Sequence, residues 1–131
     1  MGHRSHLILT VLGVLELRMA VSSFDPSAAL RGLETISGKW KIRIVGHLLG
    51  GTKRFNELHR LLLGISRGTL TFELRQLQKD GIIDRTQHST IPPTVEYKLT
   101  VNGHELRSTL VALDRWGKLL ATPNENPSQE T

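Results

Sequence analysis

The feature that most constrains this chain is a change of hydrophobic period at Gly81. Before it, Leu70, Leu74 and Leu77 recur at i, i+4 and i+7, the spacing of one buried helix face. Ser66 is placed to N-cap that helix, which the pattern carries to about Asp80. After it, Ile82–Gln87 and Thr94–Leu99 are rich in alternating or β-prone residues and read as two strands. The intervening His88-Ser89-Thr90-Ile91-Pro92-Pro93 is a loop at a hairpin tip, because proline cannot donate to a ladder. A short helix at about Phe55–Leu62 precedes, with Phe55, Leu58, Leu61 and Leu62 apolar. The turn Leu63-Gly64-Ile65 follows it, with Gly64 suited to positive φ.

Helix, tight turn, helix, hairpin is the order of a winged helix-turn-helix, so the expected class is α+β with a two-stranded wing. Further helical patterns flank it. Ser27 to Ile36 places Leu30, Leu33 and Ile36 at helical spacing, after a linker at Ser22–Pro26. Lys39–Leu49 turns Trp40, Ile44, Val45 and Leu48 inward and is closed by Gly50-Gly51. Thr100 is placed to N-cap a last helix over about Val101–Leu120. Segment 7–18 is a weaker helix, since its Val and Thr also suit a strand. The resulting division is an N-terminal extension and dimerisation segment at 1–26, a DNA-binding domain at 27–120, and a polar, disordered tail at 121–131. Met19 opens the ordinary leader MAVSSFDPS, so residues 1–18 also read as a candidate extension without function.

Charge points to the partner. Residues 37–100 hold 11 Lys/Arg against 5 Asp/Glu, whereas 1–36 hold 3 against 3 and 101–131 hold 3 against 4. The excess is therefore concentrated on the predicted winged helix, as a surface facing a polyanion requires. On a wheel of the second helix, Arg67, Thr71 and Gln78 lie beside the leucine arc, and Gly68, Phe72, Arg75 and Lys79 lie roughly opposite. A helix with such a face fits the major groove, and a hairpin beside it reaches the adjacent backbone or minor groove. The residues expected on DNA are Lys53, Arg54, Ser66, Arg67, Gly68, Thr69, Thr71, Arg75, Arg85, His88 and Thr90. Arg85 is expected near the wing tip, where a surface pair with Asp84 or Glu96 is the plainer alternative.

One small winged core cannot bury apolar surface at both ends of the chain. Leu7, Val11, Val14 and Leu15, then Leu106, Leu110, Leu113, Trp116 and Leu120, are accordingly expected at a homodimer interface. Other chemistries fit poorly. Absence of cysteine removes disulfides and thiolates. His3, His6, His47, His59, His88 and His104 form no ligand-spaced pair, so no metal or other cofactor is expected. Gly50-Gly51 follows a helix rather than a strand and makes no phosphate loop. An enzyme is not expected. No apolar run reaches the ~20 residues of a membrane span. Leu7–Leu15 lacks a well-placed cleavage site, so the expected location is the cytoplasm.

The segments SGKW (37–40), RFNELHRLLLGIS (54–66), LTFELRQLQKDGIIDR (70–85) and PPTVEYKLT (92–100) resemble the HxlR family of winged-helix regulators, related to the MarR type. The resemblance runs from about Leu30 to Leu120. It implies binding of double-stranded operator DNA by a homodimer whose contacts come from the N- and C-terminal helices, with a small-molecule effector left open. Several positions depart from the family pattern. Ser27-Ala28 stand where many members carry a sensing cysteine. Gly68 replaces a common basic residue, at a helix cost of roughly 1 kcal/mol relative to Ala. Glu73 takes a usually basic or polar place, where it would repel phosphate or accept from cytosine. Phe72 is exposed on the wheel, and His88 stands where an aromatic is common. The competing reading is a winged helix used only for protein–protein contact, against which Lys53, Arg54, Arg67, Arg75 and Arg85 argue.

Overall fold

A computed structural model describes residues 11–15 and 23–120. The chain divides between Glu34 and Thr35 into two compact units. In the first, residues 11–15 are helical (α1), and Val11, Leu12, Val14 and Leu15 are exposed. Leu7 lies outside the described residues. Helix α2 spans Pro26–Ile36. It begins where the sequence suggested a linker: Asp25 Oδ1 accepts from Ser27 N at 2.9 Å, and Pro26 takes the first helical position, where its missing N–H costs nothing. Leu30 and Leu33 of its apolar stripe are exposed, whereas Ile36 is buried.

The second unit holds the remaining elements. They are α3 (Lys41–Leu48), β1 (Lys53–Arg54), α4 (Phe55–Leu61), α5 (Arg67–Lys79), β2 (Ile83–His88), β3 (Thr94–Leu99), α6 (Val101–His104) and α7 (Leu106–Gly117). Gly64 at φ +87° makes the turn between α4 and α5, and Gly81 at φ +72° releases α5 into the wing. His59 Nε2 lies 3.1 Å from the Ile65 carbonyl, which ties α4 to that turn. The core joins Ile44, Val45 and Leu48 of α3, Leu58 of α4, Leu70, Leu74 and Leu77 of α5, and Ile83, Tyr97 and Leu99 of the sheet. The leucine stripe of α5 is at most 1% exposed, so truncating any of the three to alanine costs about 2–5 kcal/mol.

Two expectations need correction. The wing is part of a three-stranded antiparallel sheet in the order β1-β3-β2. The extra strand pairs Lys53 with Tyr97 and Arg54 with Glu96, and two residues are too few to show a period in sequence. The last helix is also two helices, broken at Glu105. Within α7, Leu106 and Leu110 pack against the core of their own chain, so their periodicity serves this fold first. Leu113 is half-buried, and Val111, Trp116, Leu119 and Leu120 are exposed.

A joint ties the wing to these helices. Thr100 Oγ1 donates to the Gly81 carbonyl at 2.6 Å and accepts from Gly103 N at 3.0 Å, while Thr100 N donates to the Ile82 carbonyl at 3.0 Å. Gly103 packs so closely there that a Cβ would overlap the Ile82 carbonyl oxygen.

Candidate nucleic-acid interface

Helix α5 starts as its sequence dictates. Ser66 is extended at φ −75°, ψ 155°, and its hydroxyl oxygen accepts from Thr69 N at 3.1 Å. The same hydroxyl donates to Thr69 Oγ1 at 2.8 Å. Both side chains are thus committed to the cap. Arg67 follows, exposed. Its Nη1 donates to Asn56 Oδ1 at 3.2 Å, and its guanidinium lies 5.8 Å from the centre of the Phe55 ring. Helix α4 therefore holds the first cation of α5 in place. Thr71 Oγ1 donates back to the Arg67 carbonyl at 2.8 Å.

One residue around the helix from the leucines, Thr71, Arg75 and Gln78 recur at i, i+4 and i+7. They form one wall of a cleft of about 550 Å³. The facing wall is the sheet, with Arg85, Val95 and Tyr97, and Phe55 and Leu74 complete the lining. The register explains why Arg85 is here. It opposes Tyr97, and Ile83 opposes Leu99, so the pleat turns Arg85 to the face that carries the buried Ile83 and Tyr97. Arg85 is the third residue of β2, midway along the strand rather than at its end. Neither Arg75 nor Arg85 has an ion-pair partner among the described residues. The expected alternative, a pair of Arg85 with Asp84 or Glu96, is not formed.

Glu96 is occupied on the other sheet face. Arg54 Nε lies 3.9 Å from its Oε1, and His88 Nε2 lies 3.0 Å from its Oε2, off the line of a good hydrogen bond. The register sets Arg54 beside Glu96 on the face opposite Tyr97. Arg54 N also donates to Glu57 Oε1 at 3.1 Å at the start of α4. Thr90 Oγ1 donates to the Pro92 carbonyl at 2.9 Å and so holds the hairpin loop. Of the residues expected on DNA, the structure gathers Thr71, Arg75 and Arg85 in the cleft, with Arg67 and exposed Gly68 at the open N-terminal end of α5. It does not bring Arg54, His88 and Thr90 there. Lys53, half-buried on β1, pairs its backbone with Tyr97 and does not line the cleft.

Glu73 is likewise not a free carboxylate facing a polyanion. Its Oε2 lies 2.9 Å from Lys41 Nζ of α3, an ion pair off the line of a good hydrogen bond, with both side chains 17% exposed. Gln78 was on the polar arc in sequence but not among the expected contacts; its i+7 spacing from Thr71 was the signal. Phe72 is exposed beside this stripe, as the wheel indicated.

A short three-stranded sheet behind a helix-turn-helix, with a cationic cleft between second helix and hairpin, defines a winged helix-turn-helix protein. The model of the HxlR-like helix-turn-helix family matches residues 35–125, and the chain belongs to that family. The HTH-type transcriptional regulator YtcD of Bacillus subtilis is 46% identical over 85 residues, 65% of this chain and 68% of that protein. Another from the same organism, YdeP, is 42% identical over 86 residues, 66% of this chain and 67% of its own. Among solved structures, a MarR-family regulator from Enterococcus faecalis V583 superposes with a TM-score of 0.67 at 41% identity, covering 74% of this chain and 89% of that one. The redox regulator HypR in its reduced form gives 0.67 at 38% identity, covering 70% and 91%. The chain is a transcriptional regulator of this class and not an enzyme. No helix among the described residues is long and apolar enough to cross a membrane.

Proposed function

We propose that the protein is a homodimeric regulator that binds double-stranded operator DNA in the cytoplasm, with α5 in the major groove and the wing on the adjacent backbone and minor groove. The observation that carries this reading is the convergence of Arg75 and Arg85. Two guanidiniums without carboxylate partners come from two different elements into one cleft beside the exposed face of α5. Two exposed guanidiniums lining one cleft with no carboxylate pair make a local positive field, which a phosphate row would neutralise. Arg75 and Arg85 then clamp phosphate. Arg67, propped by Asn56 and Phe55, addresses a base edge or the phosphate beside it, and Gly68 lets the α5 backbone approach closely.

Selection of bound sites from a random duplex pool, followed by titration of the selected site across salt, tests the proposal. The expected result is a two-fold symmetric site and an affinity that falls steeply as salt rises, through counterion release. Failure to enrich any duplex, or an affinity indifferent to salt, overturns it in favour of a winged helix used for protein contact.

A further inference from the structure

The tip of the wing carries no cation: residues 89–94 are Ser, Thr, Ile, Pro, Pro and Thr. Arg85 stands midway along β2, and His88, where β2 ends, is occupied by Glu96. What the tip presents instead is Ile91, 102% exposed and the most exposed large hydrophobic side chain among the described residues. A single exposed isoleucine needs no explanation by itself. This one, however, is held outward. Thr90 Oγ1 donates to the Pro92 carbonyl at 2.9 Å and lies 3.3 Å from Thr94 Oγ1, closing the loop beneath it. Pro92 and Pro93 fix φ on its C-terminal side. The ordering cost of presenting Ile91 to a partner is thus largely met before binding. The strand and loop from Arg85 to Ile91 extend up to about 20 Å, at roughly 3.3 Å per residue. That exceeds the ~12 Å width of a major groove. At full extension a wing anchored through Arg85 would be long enough to carry Ile91 toward the neighbouring minor groove.

We propose that Ile91 is an apolar probe of the minor groove and makes the wing select A·T pairs at its contact step. The inference rests on the DNA-binding reading above. The minor-groove edge of A·T and T·A carries acceptors alone, whereas G·C adds the exocyclic amino group of guanine. That amino group stands up from the groove floor, and a hydrocarbon side chain has no acceptor for it. Pressing Ile91 against it strips water from a donor and leaves the donor unpaired, which is costly. Over A·T the obstruction is absent. An uncharged tip releases no counterions, so its contribution is discrimination rather than bulk affinity.

The test uses the full chain and a selected duplex whose wing-facing step, located by footprinting, is made A·T, G·C or I·C. Inosine presents the major-groove edge of guanine but lacks the amino group. Wild type is expected to bind the A·T and I·C duplexes alike and the G·C duplex about tenfold more weakly, a typical penalty for one wrong pair. Ile91→Ala is expected to bind all three alike. Ile91→Lys is expected to bind all three more tightly, with a salt slope steeper by about one. Thermal melting should be the same for all three proteins, since the side chain touches nothing it stabilises. The inference falls if wild type groups I·C with G·C, or if Ile91→Ala keeps the preference. Binding of every duplex without discrimination overturns this inference alone; binding of none overturns the DNA reading with it.

Discussion

Lys41 and Glu73 illustrate how a side chain can be legible in kind and misplaced in role. On a helical wheel Glu73 adjoins the polar arc of α5, where it invites a reading as a base contact or a phosphate repellent. Its Oε2 is instead 2.9 Å from Lys41 Nζ, and both groups are mostly covered. The pairing joins α3 to α5 across a sequence separation that no local pattern reports. Replacing Lys41 by methionine leaves the carboxylate covered and without its cation, so stability should fall by about 1–3 kcal/mol. Adding Glu73→Gln should recover part of that loss, because the two positions are coupled. Urea unfolding of the two single variants and the double variant checks this; strictly additive losses would show that the pair does not interact.

At the scale of elements, helix α5 was fully readable and the sheet only partly so. The stripe Leu70, Leu74, Leu77 and the cap at Ser66 are local, and both were found where the sequence placed them. The strand β1 was missed because its two residues take their conformation from distant β3. The place of Arg85 followed from strand register, which sequence does not state, and register moved it from the tip to the cleft. Its test changes accordingly. Arg85→Ala and Arg75→Ala should each leave stability within about 0.5 kcal/mol, as exposed substitutions do. Each should also make the logarithmic salt dependence of DNA binding shallower by about one, and the double variant by about two. If melting drops while the slope holds, the guanidiniums are structural and the clamp is wrong.

For the whole molecule, the sequence correctly indicated apolar surface at both ends but could not apportion it. Leu106 and Leu110 serve the chain's own core, and a period of 3.6 is the same whether the face covered belongs to this chain or to a second copy. What remains uncovered includes Val11, Leu12, Val14, Leu15, Phe24, Leu30 and Leu33 in one unit, and Val111, Trp116, Leu119 and Leu120 in the other. This exposed surface supports the proposed homodimer. Sedimentation at tens of micromolar should give twice the chain mass, and Trp116→Glu should shift the equilibrium toward monomer. A monomeric wild type at that concentration would count decisively against the two-fold operator.

The Thr100 joint adds a mechanical consequence. The end of α5, the first wing strand and the start of the C-terminal helices meet at Gly81, Ile82, Thr100 and Gly103, and the Gly103 contact leaves no slack. A displacement of α6 would therefore reach the end of α5 and the start of the wing together. In the proposed dimer such a linkage would set the distance between the two α5 helices without altering the residues each presents. Thr100→Val removes the hydroxyl and keeps the shape, at a cap cost of about 1 kcal/mol. We expect it to widen tolerance for spacers one or two base pairs longer or shorter, with the base preferences of each half-site unchanged. Altered half-site preferences with spacing tolerance as in wild type would mean that the joint transmits no such motion.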